Sequence, residues 1–168
     1  VKRFPVVAFA VLGLATVAAF FIIQHLKVTT PLIAGNPVPF PSVINPRSGG
    51  RCSVRTTTGH VVLTSVRRTS ITFNLLYRSD VVDVYVVDAL GRVVDTVSRG
   101  VLMQASAAPN AARQFTWNGR TGDGGLAAPG KYYFRVVLRR QNRTINITDS
   151  TGDLEWVTVR LSPSCPRA

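Results

Sequence analysis

Apolar and polar residues follow two patterns along this chain, and the change falls near residue 24. From Phe4 to Ile23 the run FPVVAFAVLGLATVAAFFII carries no charge and shows no polar face. At 1.5 Å per residue, about twenty helical residues cover the roughly 30 Å hydrocarbon core of a bilayer. Pro5 falls in the first turn, where its missing N–H costs little. A buried soluble helix would show a polar stripe. A cleaved signal peptide would have a shorter core and a small-x-small site, whereas Gln24-His25-Leu26-Lys27-Val28-Thr29-Thr30 follows here. The pattern predicts an uncleaved signal-anchor helix over residues 1–27. Lys2 and Arg3 before it, against Lys27 after it, place the N-terminus in the cytoplasm and the remainder outside a cell membrane crossed once.

Beyond residue 51 the period becomes two. Ile71, Phe73, Leu75 and Tyr77 alternate with polar or differently facing neighbours, and Val82, Val84 and Val86 form an inward stripe. Asp88-Ala89-Leu90-Gly91 has the Asp and Gly of a tight turn, and Arg92–Val97 returns. Val101–Gln104 reads as a short edge strand. Phe115 and Trp117 share one face, as do Tyr132, Phe134, Val136 and Leu138. The turn residues between these two stretches predict a long β-hairpin, with Pro129-Gly130 in a type II turn. Arg143–Ile147 and Leu154–Leu161 complete seven to nine short strands, the spacing of a β-sandwich. Residues 28–50 hold Pro31, Pro37, Pro39, Pro41 and Pro46 with Gly35, Gly49 and Gly50, which predicts a semi-rigid stalk. The domain then occupies 51–168.

Charge adds a second theme. The chain has 20 Lys and Arg against 8 Asp and Glu; without Lys2, Arg3 and Lys27 the balance is 17 to 8, or +9, and sixteen of the seventeen are Arg. Such a surface favours polyanions, although an arginine-rich genome would also colour a merely solvated surface this way. Two cysteines, Cys52 and Cys165, bracket the domain, and outside the cytoplasm such a pair reads as a disulfide. Closing a loop that long stabilises by roughly 4–5 kcal/mol in the chain-entropy picture. His25 and His60 have no Cys or His neighbour at metal-ligand spacing.

The sequence F-x-W-N-G, a polar run with Gly125, then P-G-x-Y-x-F-x-V is carried by Trp117, Asn118, Gly119, Gly125, Gly130, Tyr132 and Val136. It resembles the immunoglobulin-like domain first named from the flagellar hook-capping protein, which recurs in bacterial envelope proteins. The segment VYVVDALGRVVDT is similar to the family's other recognisable hairpin, and the resemblance covers roughly Thr69 to Leu161. It implies an all-β, immunoglobulin/fibronectin-III-like sandwich, here preceded by one transmembrane helix, in a bacterial membrane-anchored protein. It implies no chemistry. Anchored relatives carry an acidic turn able to hold Ca²⁺, but Asn45–Arg51 contains no carboxylate, so no metal site carries over.

No catalytic constellation or cofactor motif accompanies this pattern. The carboxylates stand mostly in turns and at strand ends, where local hydrogen bonding explains them, and His60 has no G-x-S-x-G partner. Gly122–Gly125 reads as turn chemistry rather than a phosphate loop. Opposite the core stripe lie Lys131, Tyr133, Arg135 and Arg139, followed by Arg140, Arg143 and Arg160. Arg135, Arg139, Arg140 and Arg143 form the candidate binding set, since guanidinium groups pair bidentately with carboxylate and phosphate. The same residues also read as an ordinary solvated strand face with one exposed tyrosine. The expectation is a non-catalytic interaction module for an anionic envelope polymer or an acidic protein partner. The alternative is a structural spacer or assembly subunit. Nucleic acid is disfavoured by an extracytoplasmic position, and the N-x-T sequences at Asn142 and Asn146 are incidental in a bacterial protein. No oligomeric state follows from the sequence.

Overall fold

A helix, α1, runs Phe4–Thr29, 26 residues that contain the whole uncharged run. The computed structural model describes residues 4–29, 32–35, 37–47, 51–56, 58–106, 108 and 111–161; within α1 the side chains described are Phe9 and Val11–Ile22. All of these are exposed, among them Leu14, Phe20, Phe21 and Ile22. Among the described residues no helix is long and apolar enough to cross a membrane. Val11–Ile22 alone extends about 18 Å. Lys2, Arg3, Ser48, Gly49, Gly50 and Cys165 lie outside the described residues.

Residues 33–168 form a separate, all-β unit. Its strands are β1 (Ile33–Ala34), β2 (Val43–Ile44), β3 (Arg51–Arg55), β4 (Val61–Ser65), β5 (Thr69–Leu75), β6 (Asp80–Asp88), β7 (Val93–Met103), β8 (Arg113–Trp117), β9 (Gly130–Leu138), β10 (Arg143–Asn146) and β11 (Val157–Val159). One sheet has the order β1-β5-β8. The larger has the order β2-β11-β9-β6-β7, with β10 also paired to β9, and β3-β4 stands as a two-stranded sheet. One edge of β9 is shared between two partners: β11 takes Gly130–Tyr132 and β10 takes Arg135–Leu138.

The period-two stripes report burial well. Ile71, Phe73, Leu75, Val82, Val84, Phe134, Val136 and Leu138 are fully buried, and so is Trp117. Each such aliphatic or aromatic side chain contributes about 1.5–3 kcal/mol by leaving water. Phe73 and Phe115 stack with centroids 5.2 Å apart. Tyr77, expected on the same stripe as Leu75, is 63% exposed because β5 ends at Leu75.

The expected central hairpin does not form. β8 pairs with β5, while β9 pairs with β6, β10 and β11, so the two aromatic stretches lie in different sheets. Facing each other across the core, Trp117 and Tyr132 bring their rings to 5.2 Å. As hairpin neighbours they would have left the other sheet's face uncovered. The turn residues serve a smaller loop: Arg120 bridges Leu126, and the Ala127 N–H donates to the Gly119 carbonyl at 2.9 Å. Nor does Pro129-Gly130 make a type II turn. Gly130 is outside the positive-φ set and opens β9 opposite Val159.

The stalk is also shorter than residues 28–50. α1 reaches Thr29, β1 pairs antiparallel with β5, and β2 pairs parallel with β11. Ile44, Asn45 and Pro46 are buried, and the Asn45 N–H donates to the Val66 carbonyl at 2.6 Å. Prolines suit such a position because an edge segment needs few backbone donors. Finally, the two segments Arg92–Val97 and Val101–Gln104 are one strand, β7, whose pairing with β6 shifts register between Val82 and Val84. Arg99 and Gly100 make that bulge, and Gly100 takes φ +71° there.

Candidate binding surfaces

The outer face of β9 presents the side chains between the core positions. Lys131 Nζ lies 5.8 Å from the centroid of the Trp156 ring, which meets Tyr133 edge-on at 5.6 Å. The Arg135 guanidinium stands 5.6 Å from the Tyr133 centroid and donates to its hydroxyl at 2.7 Å. Arg135 Nε–H also donates to Asn146 Oδ1 on β10, at 3.0 Å. Cation and aromatic groups thus alternate along one strand face. Tyr133 is not the exposed aromatic expected: Trp156 and Arg135 leave it 5% accessible. Trp156 belongs to no sequence motif, although the inward stripe of Val157 and Val159 puts it on the outer face by parity.

The four candidate arginines do not form one free patch. Arg139 places a two-pronged fork on Asp83, with Nε and one terminal nitrogen both 2.8 Å from carboxylate oxygens. Asp83 is 4% exposed and also accepts the Gly100 N–H at 2.6 Å, so it caps the β7 bulge and neutralises Arg139 together. Arg140 is exposed at the β9–β10 turn, its backbone N–H held by Asp80 Oδ1 at 2.8 Å. Arg143 is half-buried on β10, opposite Leu138. Burial pushes the Asp83 carboxyl up, but the Arg139 fork, the Gly100 N–H and the Tyr85 hydroxyl together hold it below the ordinary value of 3.8. A depressed folded-state pKa means that its stabilisation is complete above the unfolded value and fades as pH falls through the folded one. Urea midpoints taken from about pH 5 down to about pH 2 are therefore expected to fall more steeply for the wild type than for Asp83→Asn. Parallel slopes would show that the pair does not report on folding.

The signature residues build the Trp117 corner rather than a reactive site. Trp117 Nε1–H donates to the Arg120 carbonyl at 2.7 Å, and Asn118 Oδ1 accepts the Arg120 N–H at 3.1 Å. The Gly125 N–H donates to Asp123 Oδ1 at 3.2 Å, and the Tyr132 hydroxyl donates to the Ala128 carbonyl at 2.7 Å. Burial comes first in raising the Tyr132 pKa above 10.0. Among the described residues no group of three or more His, Cys, Asp or Glu is placed to hold a metal ion. Cys52 is buried on β3, and its expected partner Cys165 lies outside the described residues.

A concave feature lies elsewhere. A polar recess of about 450 Å³ opens between the β3–β4 hairpin and the outer side of the β5–β8 pair, and Arg51 and Arg68 are among its lining residues.

Two sheets closing on a Trp-centred core, with a tyrosine tied back to the preceding turn, define an immunoglobulin-like sandwich. The sequence profile of the FlgD Ig-like domain matches residues 58–142, and the chain belongs to that family. The family is a structural, non-enzymatic domain. No curated protein matches the chain.

Proposed function

We propose that this protein is a membrane-anchored, non-catalytic interaction module of the bacterial cell envelope. Its sandwich stands outside the membrane and engages an anionic envelope component or an acidic protein partner. The observation that carries the ligand's sign is a count. Seventeen basic residues follow Lys27 against eight acidic ones, so nine positive charges would remain if every carboxylate were paired. Exposed pairs are individually weak and screened beyond about 8–10 Å, so binding is multivalent and salt-sensitive.

Support for the anchor comes from α1. Its described side chains are apolar and exposed all round, and its one hydroxyl there, on Thr16, donates to the Leu12 carbonyl at 2.9 Å. A helix whose polar groups are satisfied internally suits a hydrocarbon surrounding. With the sandwich outside, Cys52 and Cys165 form a disulfide.

The test has two arms. Protease added to intact cells removes the sandwich, and mass mapping without reductant finds the Cys52–Cys165 peptide pair; protection with both thiols alkylatable reverses the topology. The full chain in neutral detergent then binds acidic wall polymer or anionic liposomes, weakening steeply with salt. Reversing Arg135, Arg140 and Arg143 to Glu lowers that affinity about tenfold or more. Arg139 is spared because Asp83 already occupies it. No binding at low salt would remove this reading. The second reading, a spacer or assembly subunit, is favoured by the exposed apolar side chains of the β3–β4 hairpin, where Val61 and Leu63 are each 63% exposed.

A further inference from the structure

The recess beside β5 combines arginine, hydroxyl and amide groups with apolar side chains. Its floor is the outer side of the β5–β8 pair, where Ser70 and Thr116 are register partners and the Gln114 amide donates to Ser70 Oγ at 2.9 Å. Arg51 and Ser65, register partners on β3 and β4, line the hairpin side, and Arg68 enters from the turn before β5. Phe40 forms a wall fixed by reciprocal backbone bonds to Ser70 of 2.9 and 3.1 Å, and Leu63 adds a second apolar surface. None of the described lining residues is acidic.

We propose that this recess binds an acidic sugar unit, its carboxylate on Arg68 and its hydroxyls on Ser65, Ser70, Gln114 and Thr116. A guanidinium such as that of Arg68, in a concavity whose described lining holds no carboxylate, selects an anion and can grip it bidentately. Three hydroxyls and an amide are more neutral hydrogen-bonding capacity than a bare anion uses, and they match a polyol. The volume lies within the range of small-ligand sites, and the Phe40 ring and Leu63 receive the C–H face of a pyranose. The inference rests on the reading that the ligand is anionic, and adds to it a place and a chemical class.

Calorimetric titration of the full chain in neutral detergent tests it with a glucuronic-acid disaccharide, the matching glucose disaccharide, and inorganic phosphate. The uronate is expected to bind at least about tenfold more tightly than either comparison compound. Arg68→Gln and Gln114→Ala are each expected to lower uronate affinity about tenfold, whereas Arg99→Gln, at the β7 bulge, leaves it unchanged. Uronate binding indifferent to both pocket substitutions overturns the assignment of the site, even where acidic polymer still binds through the face of β9. Equal affinity for the glucose disaccharide or for phosphate overturns the assignment of an acidic sugar. Absence of both uronate and polymer binding to the unmodified chain overturns the anionic-ligand reading with it.

Discussion

Trp117→Ala is expected to lower the unfolding free energy by about 3–5 kcal/mol, the usual cost of truncating a large core aromatic. Trp117 is fully buried, and its ring packs against Tyr132 from the opposite sheet at 5.2 Å. Removing it opens a void between the sheets where neither side can collapse without bending a strand. It also strands the Arg120 carbonyl, which loses the indole N–H that donates to it at 2.7 Å. Trp117→Phe keeps a ring but not that donor, and is expected to cost less. Against a typical total stability of roughly 5–15 kcal/mol, the alanine change alone brings the domain near its threshold. Urea unfolding followed by far-UV circular dichroism measures it. An unchanged midpoint would mean that the ring does not bridge the two sheets.

Gly119→Ala is expected to cost about 2–4 kcal/mol, for two separable reasons. Gly119 takes φ +74°, where an L side chain is strained, and a Cβ there would fall 2.7 Å from Pro46 Cβ and 3.2 Å from Ile44 Cδ1. Gly124 supplies the control. It has φ +86° but open space around the added carbon, so Gly124→Ala carries the conformational part alone, about 1–2 kcal/mol. The difference between the two variants measures how tightly residues 44–46 close over the Trp117 corner. Equal losses would show that this proline-rich segment is not part of the packed unit.

Burial parity was legible in the sequence, and pairing was not. Alternation at Ile71–Leu75, Val82–Val86 and Tyr132–Leu138 states which side chains face the core, because one residue of slip would expose the whole set. It says nothing about which strand lies alongside. Trp117 and Tyr132 therefore read as hairpin neighbours when they are partners across the sandwich. The stalk was misread for a related reason. Proline spacing favours extended backbone whether the segment is free or laid along a sheet edge, and Val43 and Ile44 alone give too short a strand signal. The binding set was legible only as composition. That Arg139 is spent on Asp83 depends on residues 56 positions apart, brought together by β6–β9 pairing. The outward parity of Asp83 in a valine stripe was the available hint. The recess lined by Arg51 and Arg68 gave no sequence signal, since its walls come from three separate hairpins and edges.

The parallel pairing of β2 with β11 has a mechanical meaning. Val43 and Ile44 run beside Thr158 and Val159, held by the Thr158 N–H on the Ser42 carbonyl at 2.7 Å and the Arg160 N–H on the Ile44 carbonyl at 2.9 Å. Tension that draws residue 42 away from residue 160 acts along these strands, because the two chain directions agree. The bonds are then loaded in shear and yield together, whereas an antiparallel pair pulled from its open end would unzip one bond at a time.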